Sequence, residues 1–252
     1  MAMYVIDFTK IKVSCESCNL NELCLPRGLD GNDLEQLDRL VSQTQPLHKG
    51  DVLFHAGDKF TNLYAVRTGC IKLTASSDQG DEQIQGLYLP GEIIGLDGIE
   101  KNQHSCTAVA LDTSSLCTIS FNNLSQICGQ LPALNEQMFR LMGRELSQDN
   151  QLLLTITKKN ADGRIATFLV SLSTRFQRLG YSPTEFRLPM SRSEIGNYLG
   201  LTFETVSRSL NKLQKQGLIS INHKYITILD LPSLKAACSE PDEAPRIRKI
   251  FS

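Results

Sequence analysis

The amino-acid sequence predicts an α+β chain in three parts: an antiparallel β-roll, a long helix with a coiled-coil seam, and a C-terminal winged helix-turn-helix. Three observations predict it. Between Gln45 and Phe121, short apolar runs (VLF, LYAV, CIKL, IQGLYL, CTAVAL, LCTI) alternate with Gly- and Pro-containing turns. Apolar residues between Phe139 and Ile156 recur with alternating steps of three and four. Two helix signals then flank a glycine turn at Gly200, and two short apolar runs follow.

The 252 residues, 41% of them hydrophobic, suffice for one large or two ordinary domains with real cores. The first residues, MAMYVIDFTKIKV, lack the basic region and long apolar run of a signal peptide, and no stretch reaches the ~18 apolar residues of a spanning helix. A cytoplasmic protein with no membrane partner is expected. The net charge of −1 conceals an asymmetry, because Lys158 to Tyr225 carries eleven Lys/Arg against four Asp/Glu, a local +7. A basic module on an otherwise acidic chain implies a polyanion partner for the C-terminal part alone.

Residues 1–29 form a cysteine-rich segment in which Cys15, Cys18 and Cys24 make a C-x2-C-x5-C run. In a reducing compartment such a run favours metal-binding thiolates over a disulfide framework. Zinc prefers paired C-x2-C knuckles, whereas three near cysteines and one distant one are compatible with an iron–sulfur cluster. Spacing alone leaves open zinc, a cluster and a metal-free thiol sensor. Nor does it select the fourth ligand among Cys70, Cys106, Cys117 and Cys128, although Cys70 and Cys106 sit in apolar runs typical of inert core thiols. Cys238 lies near the tail.

Residues 30–131 are assigned to the β-roll. Leu34, Leu37 and Leu40 predict a short entry helix reaching Val41, with Asn32 or Asp33 as its N-cap. Residues 132–160 are the long helix, whose seam is Phe139, Met142, Leu146, Asp149, Leu153 and Ile156. A second strip, Leu134, Met138, Leu141 and Leu152, is available to pack on the roll. In a parallel pair of such helices two Asp149 carboxylates would meet across a drying interface, where like charge and desolvation both oppose association. The seam reads as conditional, the alternative being that Asp149 simply points at water.

Residues 161–238 form the third part. Ser191 and Glu194 make a capping box, Ile195, Tyr198 and Leu199 supply an inward face, and Gly200 breaks the helix. The second helix starts at an N-cap Thr202 and stops at Gly217. Val206, Leu210 and Leu213 lie on one side of it; Glu204, Ser207, Arg208 and Asn211 lie on the other. LISI and YITIL make the wing. An Arg on such a helix can donate two bonds to guanine and a Glu can accept from cytosine, so Arg208 and Glu204 could read one G·C pair. The remaining 239–252, with mixed charge and Pro, are expected to be disordered.

Together, CESCNLNELC at 15–24, LCTISF at 116–121 and EIGNYLGLTFETVSRSLNKLQ at 194–214 resemble the Crp-Fnr superfamily of bacterial transcription regulators, and specifically its Fnr-type oxygen sensors. The resemblance covers residues 10 to 235. It implies that the roll is of the cyclic-nucleotide-binding kind and that Cys15, Cys18, Cys24 and Cys117 hold a [4Fe-4S] cluster tuned by neighbours such as Asn19 and Leu23. It implies a homodimer whose Glu204, Ser207 and Arg208 read TTGAT-N4-ATCAA sites in double-stranded DNA without oxygen. Oxygen would convert the cluster to a smaller one, and the dimer would fall apart. Surface loops of the roll, including one around Gly80, would touch RNA polymerase.

Two other classes fit less well. Cyclic-nucleotide-gated relatives pair a Gly-Glu with a later Arg-Ser; here Gly91 and Glu92 are followed by His104 and Ser105, and no Arg occurs between Arg67 and Arg140. A cyclic phosphate would lack its bidentate partner. No cyclic nucleotide is expected, and Gly91 reads as a turn glycine beside a structural Glu92. An enzyme is not expected either, because His48, His55, His104 and His223 are scattered singly, with no metal-ligand spacing and no nucleophile elbow.

Overall fold

The structure is a computed structural model that describes residues 14–76 and 80–239. The readings made above for residues 1–13 and 240–252 lie outside the described residues. The chain divides into two compact units, one ending at Leu146 and the other beginning at Ser147.

In the first unit, α1 (Gly31–Asp38) is capped by Asp30, whose side chain accepts from the Asp33 amide. The N-cap is therefore two or three residues earlier than Asn32 or Asp33, and the helix ends before Val41. Val41 instead opens β1 (Val41–Gln43), because it pairs with Ile119. The roll continues through β2 (Val52–Phe54), β3 (Asn62–Thr68), β4 (Ile71–Ser76), β5 (Glu82–Tyr88), β6 (Ile93–Ile94), β7 (Thr107–Ala110) and β8 (Ser115–Ser120). These make two four-stranded antiparallel sheets, in the orders β1-β8-β3-β6 and β2-β7-β4-β5.

The two sheets share one core, in which Phe54, Ile71, Leu73 and Ala108 meet Val66, Ile94 and Leu116. Cys106 is buried in this inner core, and Cys70, just before β4, is buried as well. The outer face of the first sheet is covered as well. Leu63, Ala65, Ile93 and Ile119 pack there against Leu25, Leu37, Leu124 of α2 (Phe121–Cys128), and Leu134, Met138 and Leu141 of α3 (Pro132–Lys158). A strand with cover on both faces loses simple alternation, and β3 shows this. Of the strip, Leu134, Met138 and Leu141 thus pack on the roll as their spacing predicts, whereas Leu152, half-buried, is not part of this core.

The seam positions of α3 are open. Phe139, Leu146 and Leu153 are 65%, 64% and 61% exposed, and Met142 is 40% exposed. Large apolar side chains at that exposure, in coiled-coil register, are an unpartnered stripe. Asp149 is exposed in the same register, and what burial it has raises its carboxyl pKa above the ordinary value. Ile156 is half-buried beside Gly200.

The second unit contains α4 (Ala161–Arg178), β9 (Glu185–Arg187), α5 (Arg192–Leu199), α6 (Phe203–Lys215), β10 (Ile219–Asn222), β11 (Tyr225–Ile228) and α7 (Leu231–Ala237). Ser191 and Glu194 form the expected capping box, and Gly200 closes α5 in the left-handed region at φ 64°. The wing is antiparallel and has a third strand, β9, that pattern reading does not find. Only Phe186 of its three residues is buried, which is too short a signal to distinguish from loop. The core joins Ile165, Leu169 and Leu172 of α4 with Ile195, Leu199, Val206, Leu210, Leu213, Ile226 and Leu234. Lys212 of α6 bonds to Asp162 of α4.

Candidate metal centre and nucleic-acid interface

Residues 14–28 are a chain of tight turns rather than a regular element. Cys18 donates its amide to the Cys15 carbonyl at 3.3 Å and Cys24 to the Leu20 carbonyl at 3.0 Å, which turns successive thiols toward the sheet. The loop is tied at both ends. Asp38 accepts from the Cys15 amide at 2.7 Å and from the Ser14 hydroxyl at 3.1 Å. Gln137 of α3, 2% exposed, donates its side-chain amide to the Cys24 carbonyl at 2.9 Å.

Cys15, Cys18, Cys24 and Cys117 line one pocket, together with Leu25, Leu37, Val41, Ala65, Ile119 and Arg67. Cys117 reaches it from β8, where it pairs with Gln43 and Ala65. All eight cysteines are free thiols. Burial pushes the Cys24 thiol up to about 12, against the pull of the Leu25 amide and with the help of its neighbours Cys117 and Cys18. Cys15 is raised by burial and by Asp38, and Cys117 by burial against the attraction of Arg67. These sulfurs stay protonated unless a positive group enters among them.

Among the described residues, no three His, Cys, Asp or Glu side chains converge closely enough to hold one metal ion. Four thiolates on one zinc would stand about 3.8 Å apart, given Zn–S bonds of ~2.3 Å. A cluster with iron at four corners takes one sulfur per corner, so its ligands surround it from a wider ring. The donor set fits such a group: four soft sulfurs, an aliphatic wall and a single cation at the rim. Cys128, half-buried in α2, and the buried Cys70 and Cys106 do not line this pocket.

Gly91 supports the loop from below. It holds φ 85°, and a Cβ placed on it would come within 2.9 Å of Leu23 Cβ. Gly91→Ala is expected to cost about 1–3 kcal/mol through backbone strain and this clash. A thermal midpoint lower by several degrees in a melt of the full chain checks it. Glu92 accepts from the Leu89 amide at 2.8 Å, which makes it a turn-stabilising acid as expected. His104 is buried and stacked on Phe54 at 3.6 Å, while Ser105 donates its amide and hydroxyl to Asp97.

In the second unit α6 separates its two faces as the period predicts. Val206, Ser209, Leu210 and Leu213 are buried, whereas Glu204, Arg208 and Asn211 are exposed and Ser207 is half-buried. Thr202 caps the helix by accepting from the Thr205 amide. The Glu204 carboxyl is held below the usual range by its own amide, the Thr202 hydroxyl and Arg208, so it is ionised at neutral pH. Arg208 donates to the Thr205 hydroxyl at 3.2 Å, and Arg192 of α5 donates to the Ser207 hydroxyl at 3.2 Å. Sequence reading passed over Arg192, Asp38, Gln137 and Arg67. Only Gln137 left a signal, as a polar residue inside the buried strip Leu134, Met138 and Leu141.

A β-roll unit followed by a winged helix-turn-helix with a polar, exposed second helix defines a DNA-binding transcription regulator. Residues 44–130 match the cyclic nucleotide-binding domain family and residues 163–237 match the Crp-like helix-turn-helix domain family. The chain is 45% identical over 224 residues to the fumarate and nitrate reduction regulatory protein of Salmonella typhimurium, covering 89% of this chain and 90% of that one. It is 46% identical over 218 residues to the protein of the same name from Vibrio cholerae, covering 86% and 87%. Among solved structures, FixK2 from Bradyrhizobium japonicum superposes with a TM-score of 0.72 at 27% identity, covering 81% of this chain and 99% of that one. The chain belongs to the Crp/Fnr family of transcription regulators. No helix among the described residues is long and apolar enough to cross a membrane.

Proposed function

We propose that this chain is a cytoplasmic, oxygen-responsive regulator of anaerobic genes, and that Cys15, Cys18, Cys24 and Cys117 hold a [4Fe-4S] cluster. The observation that carries this reading is the pocket itself, where three thiols of the loop and one from a strand nearly a hundred residues away share one apolar wall. The relatives named for fumarate and nitrate reduction support it. When bound, the cluster supplies a positive core for four thiolates and a chemistry that oxygen can destroy.

The chain's own residues do the rest. A filled pocket orders residues 15–24 between Asp38 and Gln137. Phe139, Met142, Leu146, Leu153 and Ile156 then close on the same residues of a second copy, and two α6 helices are presented about one helical turn apart, ~34 Å. Glu204, Ser207 and Arg208 read half-sites of the TTGAT-N4-ATCAA kind, and loops of the roll meet RNA polymerase. The test is an absorption spectrum with iron and sulfide assays after strictly anaerobic purification. A straw-brown protein with about four iron per chain is expected; a colourless, iron-free one overturns the reading.

For the DNA face, Arg208→Ala is expected to lose roughly 1–3 kcal/mol on the palindromic site and to lose discrimination at one G·C pair. Titrations on matched and singly mutated sites check this. Uniform weakening on every sequence would make Arg208 a phosphate contact instead.

A further inference from the structure

Gln137 occupies an unusual place. It is 2% exposed on the roll-facing side of α3, among Leu134, Met138 and Leu141, and its amide reaches the carbonyl of Cys24 at 2.9 Å. Its other end is an orphan, because the buried Oε1 has no hydrogen-bond partner among the described residues. A buried acceptor without a donor is a standing cost, and an apolar side chain of similar length would avoid it. About half a helical turn away from Gln137 lie Phe139, Met142 and Leu146, all exposed.

We propose that Gln137 is a positioning residue that couples the cysteine loop to the association stripe of α3. Its single bond joins the backbone of Cys24 to the helix whose opposite face carries Phe139, Met142 and Leu146. When residues 15–24 are ordered, the bond sets where α3 sits on the roll; when they are loose, the anchor is lost and the stripe is no longer held in position. Coupling of this kind needs a contiguous packed element with two arrangements, and the packing of α3 on the loop through Gln137 and Cys24 supplies the contiguity. The inference rests on the cluster reading of the pocket.

The informative variant is Gln137→Met. Methionine fills the same space, removes the bond to Cys24 and removes the orphan oxygen, so folding stability is expected to hold or rise. Full-length wild type and variant are purified without oxygen and compared by iron and sulfide content and by anaerobic sedimentation. The variant is expected to keep wild-type iron while its dimer dissociation constant rises at least tenfold. Adding Asp149→Ala to Gln137→Met is expected to restore the dimer. Equal iron with a dimer constant within twofold of wild type would overturn the proposal, as would iron lost in proportion to dimer, because Gln137 would then serve the pocket and not the coupling. A colourless wild type would overturn the cluster reading and this proposal together, whereas a brown wild type with an unaltered Gln137→Met dimer overturns this one alone.

Discussion

Cys117→Ser is expected to drop the iron content of the anaerobic protein from about four per chain to near zero and to abolish the dimer with it. Serine keeps the size of the side chain but offers a hydroxyl that stays protonated and binds iron poorly, so one corner of the ring has no ligand. Burial holds the Cys15 and Cys24 thiols protonated, with Cys24 near 12, and an incomplete set of ligands does not repay the removal of those protons. Loss of the dimer removes the linked second half-site, an effective-concentration advantage of about 10²–10⁴ in DNA affinity. The control makes the prediction specific. Cys106→Ser, at a thiol inside the other core, and Cys70→Ser, at a buried thiol away from the pocket, are expected to lower stability modestly and leave iron content alone. If Cys117→Ser retains its iron and Cys106→Ser loses it, the pocket has been assigned to the wrong sulfur.

That assignment also marks the limit of what could be read from the chain. The loop thiols announce themselves by spacing, but Cys117 is indistinguishable by pattern from Cys106, because each belongs to a short apolar run, LCTI or CTAVAL. What separates them is which face of which sheet each side chain meets. In the fold, β8 turns Cys117 outward, to the face covered by α1 and the loop, while Cys106 lies inward between the sheets. Register decides this, and a shift of one residue reverses it. The resemblance to the family supplied the choice that periodicity did not.

Local signals fared better where short-range chemistry sets the outcome. The Ser191–Glu194 capping box and the two faces of α6 follow from hydrogen bonds and a 3.6-residue period contained within single helices. The entry helix was misplaced at both ends because Asp30, Asn32 and Asp33 all have capping side chains and because Val41 is claimed by a long-range pairing with Ile119. The loop anchors Asp38 and Gln137 depend on contacts 23 and 113 residues apart in sequence, which no window can see.

Asp149→Ala is expected to form dimers in air, without a cluster, at protein concentrations where the wild type is monomeric. The exposed stripe of Phe139, Met142, Leu146 and Leu153 offers enough apolar area for a coiled-coil seam, so something must keep it apart when the pocket is empty. Asp149 stands in that register, and partial desolvation already disfavours its charge in the single chain. Bringing two such carboxylates together raises that cost again, by about 1–2 kcal/mol or more, so alanine is expected to tighten aerobic association at least tenfold. The sign of the pH dependence follows. The carboxyl pKa is raised above its ordinary value in the chain and is raised further in a dimer, so association takes up protons, and the wild-type dimer strengthens as pH falls toward the carboxylate range. Asp149→Ala should lose most of that dependence. Gel filtration in air, repeated at two pH values, reads both effects. If the aerobic Asp149→Ala protein elutes only as a monomer, the seam is restrained by something other than this carboxylate, and the conditional interface loses its physical basis.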